Sequence, residues 1–265
     1  MTKVAAIQMI SGAHLAANFE RAKVLLNDAN AQGASLILLP EYWPLMGMRD
    51  TDKISIAEQD GHGIIQDFMA QQARSLGVWL IGGTLPLVSS ESNKVLNTTL
   101  VYNPQGERVA RYDKIHLFGF TKGDESYEES KTISPGHNVS TFEAEFGRVG
   151  LSVCYDLRFP EMYRAMGACA LIVVPAAFTY TTGQAHWEIL LRARAIENQC
   201  YVLASAQGGK HENGRRTWGH SMLIDPWGKI IAVLPEGEGV ICGDIDLAML
   251  TTTRESLPAL KHRTM

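Results

Sequence analysis

Six residues, Ala34-Ser35-Leu36-Ile37-Leu38-Leu39, lie between Gly33 and Pro40. A run that short leaves no room for a core-spanning helix, and its near-continuous apolarity suits a strand buried on both faces. Strands of that kind belong to parallel sheets covered by helices, so the rest of the chain must supply the cover. Glu41 comes directly after the run, at what would be its carboxyl end.

The remaining sequence has the required alternation. Strand-like stretches at 3–9, 78–84, 97–103 and 108–114 interleave with helical periodicity at 15–31 and 63–76. In the second half, strands at 141–146, 149–153, 171–176, 201–206 and 240–245 interleave with helices at 162–168 and 185–199. Residues 221–234 read as a hairpin turned by Asp225-Pro226-Trp227-Gly228. Each half runs strand, helix, strand, helix, strand, hairpin, which predicts an α/β sandwich of two sheets with helices outside. No linker or low-complexity tract divides the chain, so residues 1–265 are expected to form one domain. Residues 117–136 lose all periodicity, and a loop that long inside a compact domain is usually functional.

Composition narrows the partners. The 265 residues carry a net charge of -4 without a block of like charges, which argues against nucleic acid or an anionic membrane. The start has no signal-peptide apolar region and no stretch approaches a membrane span, so a cytoplasmic protein is expected. Cys154, Cys169, Cys200 and Cys242 form no CxxC pair, against both a disulfide framework and a zinc site. HExxH, P-loop and GxGxxG patterns are absent, and neither a metal nor an organic cofactor is expected.

Three of the four cysteines sit in or beside apolar runs, where a small buried thiol is the ordinary finding. Cys154 instead ends the strand-like run 149–153 shortly before Pro160-Glu161, which open a helix. A thiol at such a junction lies near backbone amides able to hold negative charge on a reacting oxygen. At neutral pH a thiol is only a few per cent ionised, so a nucleophilic Cys154 needs a base or a cation. Glu41 and Lys114 each follow a strand-like run, at the strand ends where ligands gather in parallel sheets. Taken singly, a glutamate after Pro40 is more often solvated and a lysine at a strand end an edge charge. No histidine is singled out by spacing as a partner for the cysteine.

Leu39-Pro40-Glu41, Tyr112-Asp113-Lys114-Ile115-His116-Leu117-Phe118 and Val153-Cys154-Tyr155-Asp156-Leu157-Arg158-Phe159-Pro160-Glu161 resemble the three catalytic blocks of the nitrilase (carbon-nitrogen hydrolase) superfamily, in the same order. Pro175-Ala176-Ala177-Phe178, the segments 183–188 and 192–199, and 219–222 through 225–228 resemble its Nit subgroup, nearest the deaminated glutathione amidases with ω-amidases close behind. The resemblance implies a four-layer αββα fold in a homodimer or larger homo-oligomer. It implies an amidase that hydrolyses a small linear amide through a cysteine thioester, releasing ammonia and a carboxylate; carbamoylase, nitrilase and silent scaffold are the alternatives. It assigns Cys154 as nucleophile, Glu41 as general base, Lys114 as transition-state stabiliser and the Tyr155 amide to the oxyanion hole. Phe178 and Thr182 fall at the substrate. The second glutamate maps to Glu129, with Glu128 the alternative because the loop after Lys114 is one residue short. Specificity is expected in that loop, with Lys122, Asp124 and Glu125.

Overall fold

A computed structural model describes residues 1–123 and 125–264, which leaves Asp124 and Met265 outside the description. The first half starts with β1 (Thr2–Gln8), α1 (Leu15–Ala31) and β2 (Leu36–Leu38), which lies within the apolar run above. A short α2 (Asp52–Ser55) and α3 (Ile64–Leu76) lead to β3 (Trp79–Ile81), β4 (Leu85–Val88), β5 (Val95–Tyr102) and β6 (Arg108–Asp113). A hairpin of β7 (Gly119–Lys122) and β8 (Glu125–Glu128) and a two-residue β9 (Ile133–Ser134) follow. The second half contains β10 (Ser140–Ala144), β11 (Gly147–Leu151), α4 (Pro160–Ala165), β12 (Leu171–Ala176) and α5 (Tyr180–Asn198). It closes with β13 (Tyr201–Ala206), β14 (Ser221–Ile224), β15 (Ile230–Leu234), β16 (Gly239–Ile245) and α6 (Leu247–Ser256).

Two sheets result. In one, β1, β2 and β3 run parallel, β16 is antiparallel beside β1, and the β5–β6 hairpin extends the far side. In the other, β11, β12 and β13 run parallel, β10 is antiparallel beside β11, and the β14–β15 hairpin extends the far side. The expected order is thus present twice.

Strand pleat decides which residues meet which layer. Along β1, Val4 and Ala6 join Leu36, Leu38, Val149, Leu151 and Val173 in the layer between the sheets. Ala5 and Ile7, pointing the other way, pack with Leu25 and Leu26 of α1 and Met69 of α3. Trp187, Leu191 and Ala195 of α5 cover the second sheet. The four layers are therefore helix, sheet, sheet, helix, each sheet being buried on both faces.

Four stretches differ from the sequence expectation. The strand expected at 78–84 stops at Ile81, because Gly82 and Gly83 turn the chain into β4, a strand carrying Pro86 that sequence reading passes over. The aperiodic segment 117–136 is not structureless; its hairpin has no fully buried residue on either strand, so no alternation is written into it. Helix α5 begins at Tyr180 rather than 185, where Thr179 caps it by accepting from the Thr182 amide. Helix α6 goes unforeseen although Asp246 marks its start, the side chain accepting from the Ala248 and Met249 amides.

Candidate active site

Glu41 follows β2, Lys114 follows β6, Cys154 follows β11 and Ala177 follows β12, so strand ends from both sheets converge. Tight backbone packing brings the first of these in. Gly83, with φ +52°, lies so close to Pro40 that any Cβ there would run into the Pro40 carbonyl. Tyr42, directly after Glu41, and Cys154 itself also have positive φ, 57° and 48°. For residues with a side chain that conformation costs about 1–3 kcal/mol, and it persists because surrounding contacts fix it.

Glu41 is 1% and Lys114 0% exposed. Each carboxylate oxygen of Glu41 has a partner: Oε1 accepts from Lys114 Nζ and Asn97 Nδ2, both at 2.9 Å, and Oε2 accepts from the Ala177 amide at 2.8 Å. Lys114 Nζ also donates to both oxygens of Glu129, at 3.0 and 2.8 Å. Glu129 accepts in addition from the Tyr42 hydroxyl at 2.8 Å and the Phe118 amide at 2.7 Å. Glu128 instead pairs with Lys131 on the surface, so Glu129 is the glutamate that touches the lysine.

Burial and close charges set the electrostatics of this cluster. Burial alone would lower the Lys114 pKa, but Glu129 and then Glu41 outweigh it and hold the ammonium charged above its ordinary range. Burial works to raise Glu129, yet Lys114 and the hydrogen bonds from Phe118 and Tyr42 win, and its pKa falls below the usual value. Cys154 is pushed well above the ordinary thiol value by burial and by Glu41, with Lys114 opposing. The resting sulfur is therefore a neutral thiol, which must lose its proton at the moment of attack.

Behind the sulfur, a 3₁₀ turn spans Cys154–Arg158 before α4 begins. Its anchor is Asp156, fully buried, which accepts from the Val153 amide at 2.8 Å, the Tyr112 hydroxyl at 2.6 Å and the His116 amide at 3.1 Å. The His116 ring, 2.7 Å from Asp156 through Nδ1, stacks on Phe159 at 3.7 Å between centroids. The segment that carries Lys114 is thus tied to the turn that carries Cys154. The Tyr155 amide falls in the first turn, where an N–H has no acceptor within the helix.

Cys154, Tyr155, Phe178 and Thr182 line one narrow slot of about 10 Å³ together with Phe118 and Arg215. Phe178 packs on Trp187 with centroids 4.9 Å apart, and the Thr182 hydroxyl is 2.8 Å from that of Thr179. Beyond the slot opens a chamber of about 630 Å³, bordered by Tyr42, Lys53, Glu125, Tyr127, Thr181 and Arg215 among others. Of the loop residues expected to set specificity, Glu125 borders this chamber, Lys122 does not, and Asp124 lies outside the described residues.

Sequence reading did not single out Asn97, Tyr42, Asp156 or Arg215. Asn97 serves two groups at once, its side chain donating to Glu41 and its carbonyl accepting the Lys114 amide at 2.9 Å. The available signal was Asn97-Thr98-Thr99, three successive buried polar residues inside a strand. Among the described residues, no group of three or more His, Cys, Asp and Glu side chains is placed to hold a metal. No helix among them is long and apolar enough to cross a membrane.

A buried acid, a buried cation and a thiol at a strained turn, in a two-sheet sandwich, define a hydrolase class built on a cysteine. The sequence model of the carbon-nitrogen hydrolase family matches residues 3–255. The deaminated glutathione amidase of Yersinia enterocolitica is 42% identical over 264 residues, covering 98% of this chain and 92% of the relative. Omega-amidase NIT2 of Homo sapiens is 35% identical over 273 residues, covering 98% and 94%. Nit3 of Saccharomyces cerevisiae, a member of branch 10 of the nitrilase superfamily, superposes with a TM-score of 0.88 at 30% identity, covering 100% of this chain and 97% of that one. The chain belongs to the carbon-nitrogen hydrolase family and has the nitrilase-type αββα fold.

Proposed function

We propose that this carbon-nitrogen hydrolase works as a single domain over residues 1–265, an amidase that cleaves small linear amides by way of a Cys154 thioester. The observation that carries the reading is the Glu41–Lys114–Glu129 cluster, with Glu41 and Lys114 buried and Glu129 lining the slot that reaches Cys154. Glu41 takes the thiol proton as Sγ attacks the amide carbonyl. Lys114 and the Tyr155 amide stabilise the oxygen that becomes negative, being fixed in place before the reaction starts. Collapse expels the nitrogen with a proton from Glu41, and a water activated by the same carboxylate then hydrolyses the thioester. Both oxygens of Glu129 face the Lys114 ammonium, so its position is set by charge rather than by packing alone. Phe178 and Thr182 shape the acyl end of the slot.

Deaminated glutathione is the first substrate to test, since the Yersinia relative named for it matches almost the whole chain. An ω-amide of the kind handled by omega-amidases is the second. A panel of both decides. Ammonia reports unsubstituted amides, whereas deaminated glutathione releases cysteinylglycine, which must be followed instead. Turnover of an ω-amide without turnover of deaminated glutathione moves the assignment to the second reading. A protein inert toward every amide, nitrile and carbamoyl compound, with no adduct on Cys154, is a scaffold.

We also place the protein in the cytoplasm, as a homodimer or larger homo-oligomer. All four cysteines are free thiols, as in reducing compartments. Ile189 and Ile196 of α5 and Trp227 beside them are 70%, 50% and 61% exposed, which gives a second copy an apolar face to cover.

A further inference from the structure

A carboxylate offers roughly four acceptor sites, about two on each oxygen. On Glu41, Oε1 accepts from both Lys114 Nζ and Asn97 Nδ2, which fills it. Oε2 accepts from the Ala177 amide alone among the described residues. The acceptor site left for an incoming proton is therefore on Oε2.

The two oxygens are held from different sheets. Asn97 lies on β5 and Lys114 follows β6, in the sheet that carries Glu41, whereas Ala177 follows β12, in the sheet that carries Cys154. Ala177 and Cys154 line the same slot, and the Ala177 amide also acts on the sulfur, drawing its pKa down against the effect of burial. Oε2 is thus the oxygen on the thiol's side of the cluster, and Oε1 the one on the far side. Asn97 is 2% exposed and borders neither the slot nor the chamber, so substrate does not meet it. Its contacts are instead with both members of the ion pair: the side chain donates to Glu41, and the carbonyl accepts the Lys114 amide at 2.9 Å. Because an ionised carboxylate can only accept, Asn97 must turn its NH2 toward Glu41.

We propose that Asn97 is a positioning residue for the base: together with Lys114 it closes Oε1 to protons, so that the Cys154 proton is taken up and returned by Oε2. This rests on the amidase reading of Cys154. As the bond from Sγ to the amide carbon forms, the S–H bond breaks, its proton goes to Oε2, and the carbonyl electron pair moves onto the oxygen held by Lys114 and the Tyr155 amide. On collapse that pair returns, the C–N bond breaks, and the Oε2 proton passes to the leaving nitrogen. Lys114 stays an ammonium throughout. Without Asn97 an acceptor site opens on Oε1, on the side away from the thiol, and the ionised carboxylate loses one of the donors that favour it.

The charged and titratable groups around Glu41 are Tyr42, Lys114, Glu129 and Cys154. Glu129 is bonded by Tyr42, Lys114 and Phe118 rather than by Asn97, so a change at Asn97 leaves its partners in place. The test uses the intact enzyme and whichever of deaminated glutathione and glutaramate, an ω-amide, the wild type hydrolyses. Asn97→Leu keeps the side chain's shape without a donor, Asn97→Ala removes both, and Asn97→Gln keeps a donor. In Asn97→Leu and Asn97→Ala, kcat should fall about 10- to 100-fold with KM changed by less than about twofold. In both, the acid limb of the kcat/KM profile should move up by about one pH unit, and Asn97→Gln should hold it nearer the wild-type position. Asn97→Ala decides the matter where Asn97→Leu fails to fold. A loss by the same factor at every pH, a loss confined to KM, or wild-type kcat in Asn97→Leu overturns the proposal. Wild-type turnover with an unmoved acid limb in the variants fails this proposal alone, whereas a wild type that hydrolyses neither amide and forms no acyl group on Cys154 fails the amidase reading and takes the proposal with it.

Discussion

The two halves of the molecule share one topology and use their strand ends differently. The first half, with the loop that follows it, supplies every charged side chain of the cluster: Glu41 after β2, Lys114 after β6 and Glu129 beyond the hairpin. The second half supplies the sulfur and, through Ala177, a backbone amide. The difference teaches how a buried charge cluster is kept while a neutral thiol is presented beside it. Glu41 and Glu129 share the Lys114 ammonium before substrate arrives, whereas Cys154 is set by its turn, with Asp156 behind it accepting from the Val153 amide.

The most severe way to break this division is to remove the sulfur. Cys154→Ala should lower turnover by about 10⁶-fold while leaving far-UV circular dichroism and the melting transition in place. Lys114→Met comes next, with kcat down about 10²- to 10³-fold for one lost oxyanion donor. It should also destabilise the protein by about 3–5 kcal/mol in urea unfolding at pH 7, because two carboxylates are left without their buried cation. That deficit should shrink as the pH is lowered and the carboxylates take up protons. In the same variant the pH at which iodoacetamide modifies Cys154 should move higher still, since Lys114 is the charge that draws the thiol pKa down.

Glu129→Gln keeps one acceptor oxygen, enough for the Phe118 amide, turns an NH2 toward the Tyr42 hydroxyl and loses the charge facing Lys114, so kcat should fall about 10- to 100-fold. Its stability signature is directional. The folded pKa of Glu129 is depressed, so its contribution is present above the ordinary carboxylate range and is lost as the pH falls through the folded value. A pH series of unfolding midpoints should therefore show a shallower acid limb in Glu129→Gln than in the wild type. Smallest is Asp156→Asn, which loosens the turn without touching the slot; kcat down about 10-fold with KM little changed is expected from steady-state kinetics.

How much of this was legible in the sequence varies with the physics of each part. The run between Gly33 and Pro40 gave a strand buried on both faces because length and apolarity leave one solution. Glu41, Lys114 and Cys154 were legible as strand-end residues and through resemblance, and the structure places them at converging ends. Asn97 and Asp156 were not, because each acts through hydrogen bonds to residues 17 to 56 positions away or to its own turn, which no local pattern records. Arg215 lay in a polar, Gly-rich loop where an arginine is ordinarily solvated; only the cavity shows that its Nε is buried. The hairpin 119–128 was invisible because neither face meets the core.

The division between the halves is tested most directly by rapid-quench intact-mass measurement of the enzyme mixed with glutaramate, followed by peptide mapping. A glutaryl group attached to Cys154 and released by hydroxylamine shows the thioester, with less of it formed in Glu41→Gln. Turnover without any acyl mass on Cys154, or a glutaryl group on Cys169, Cys200 or Cys242, contradicts the assignment of the nucleophile.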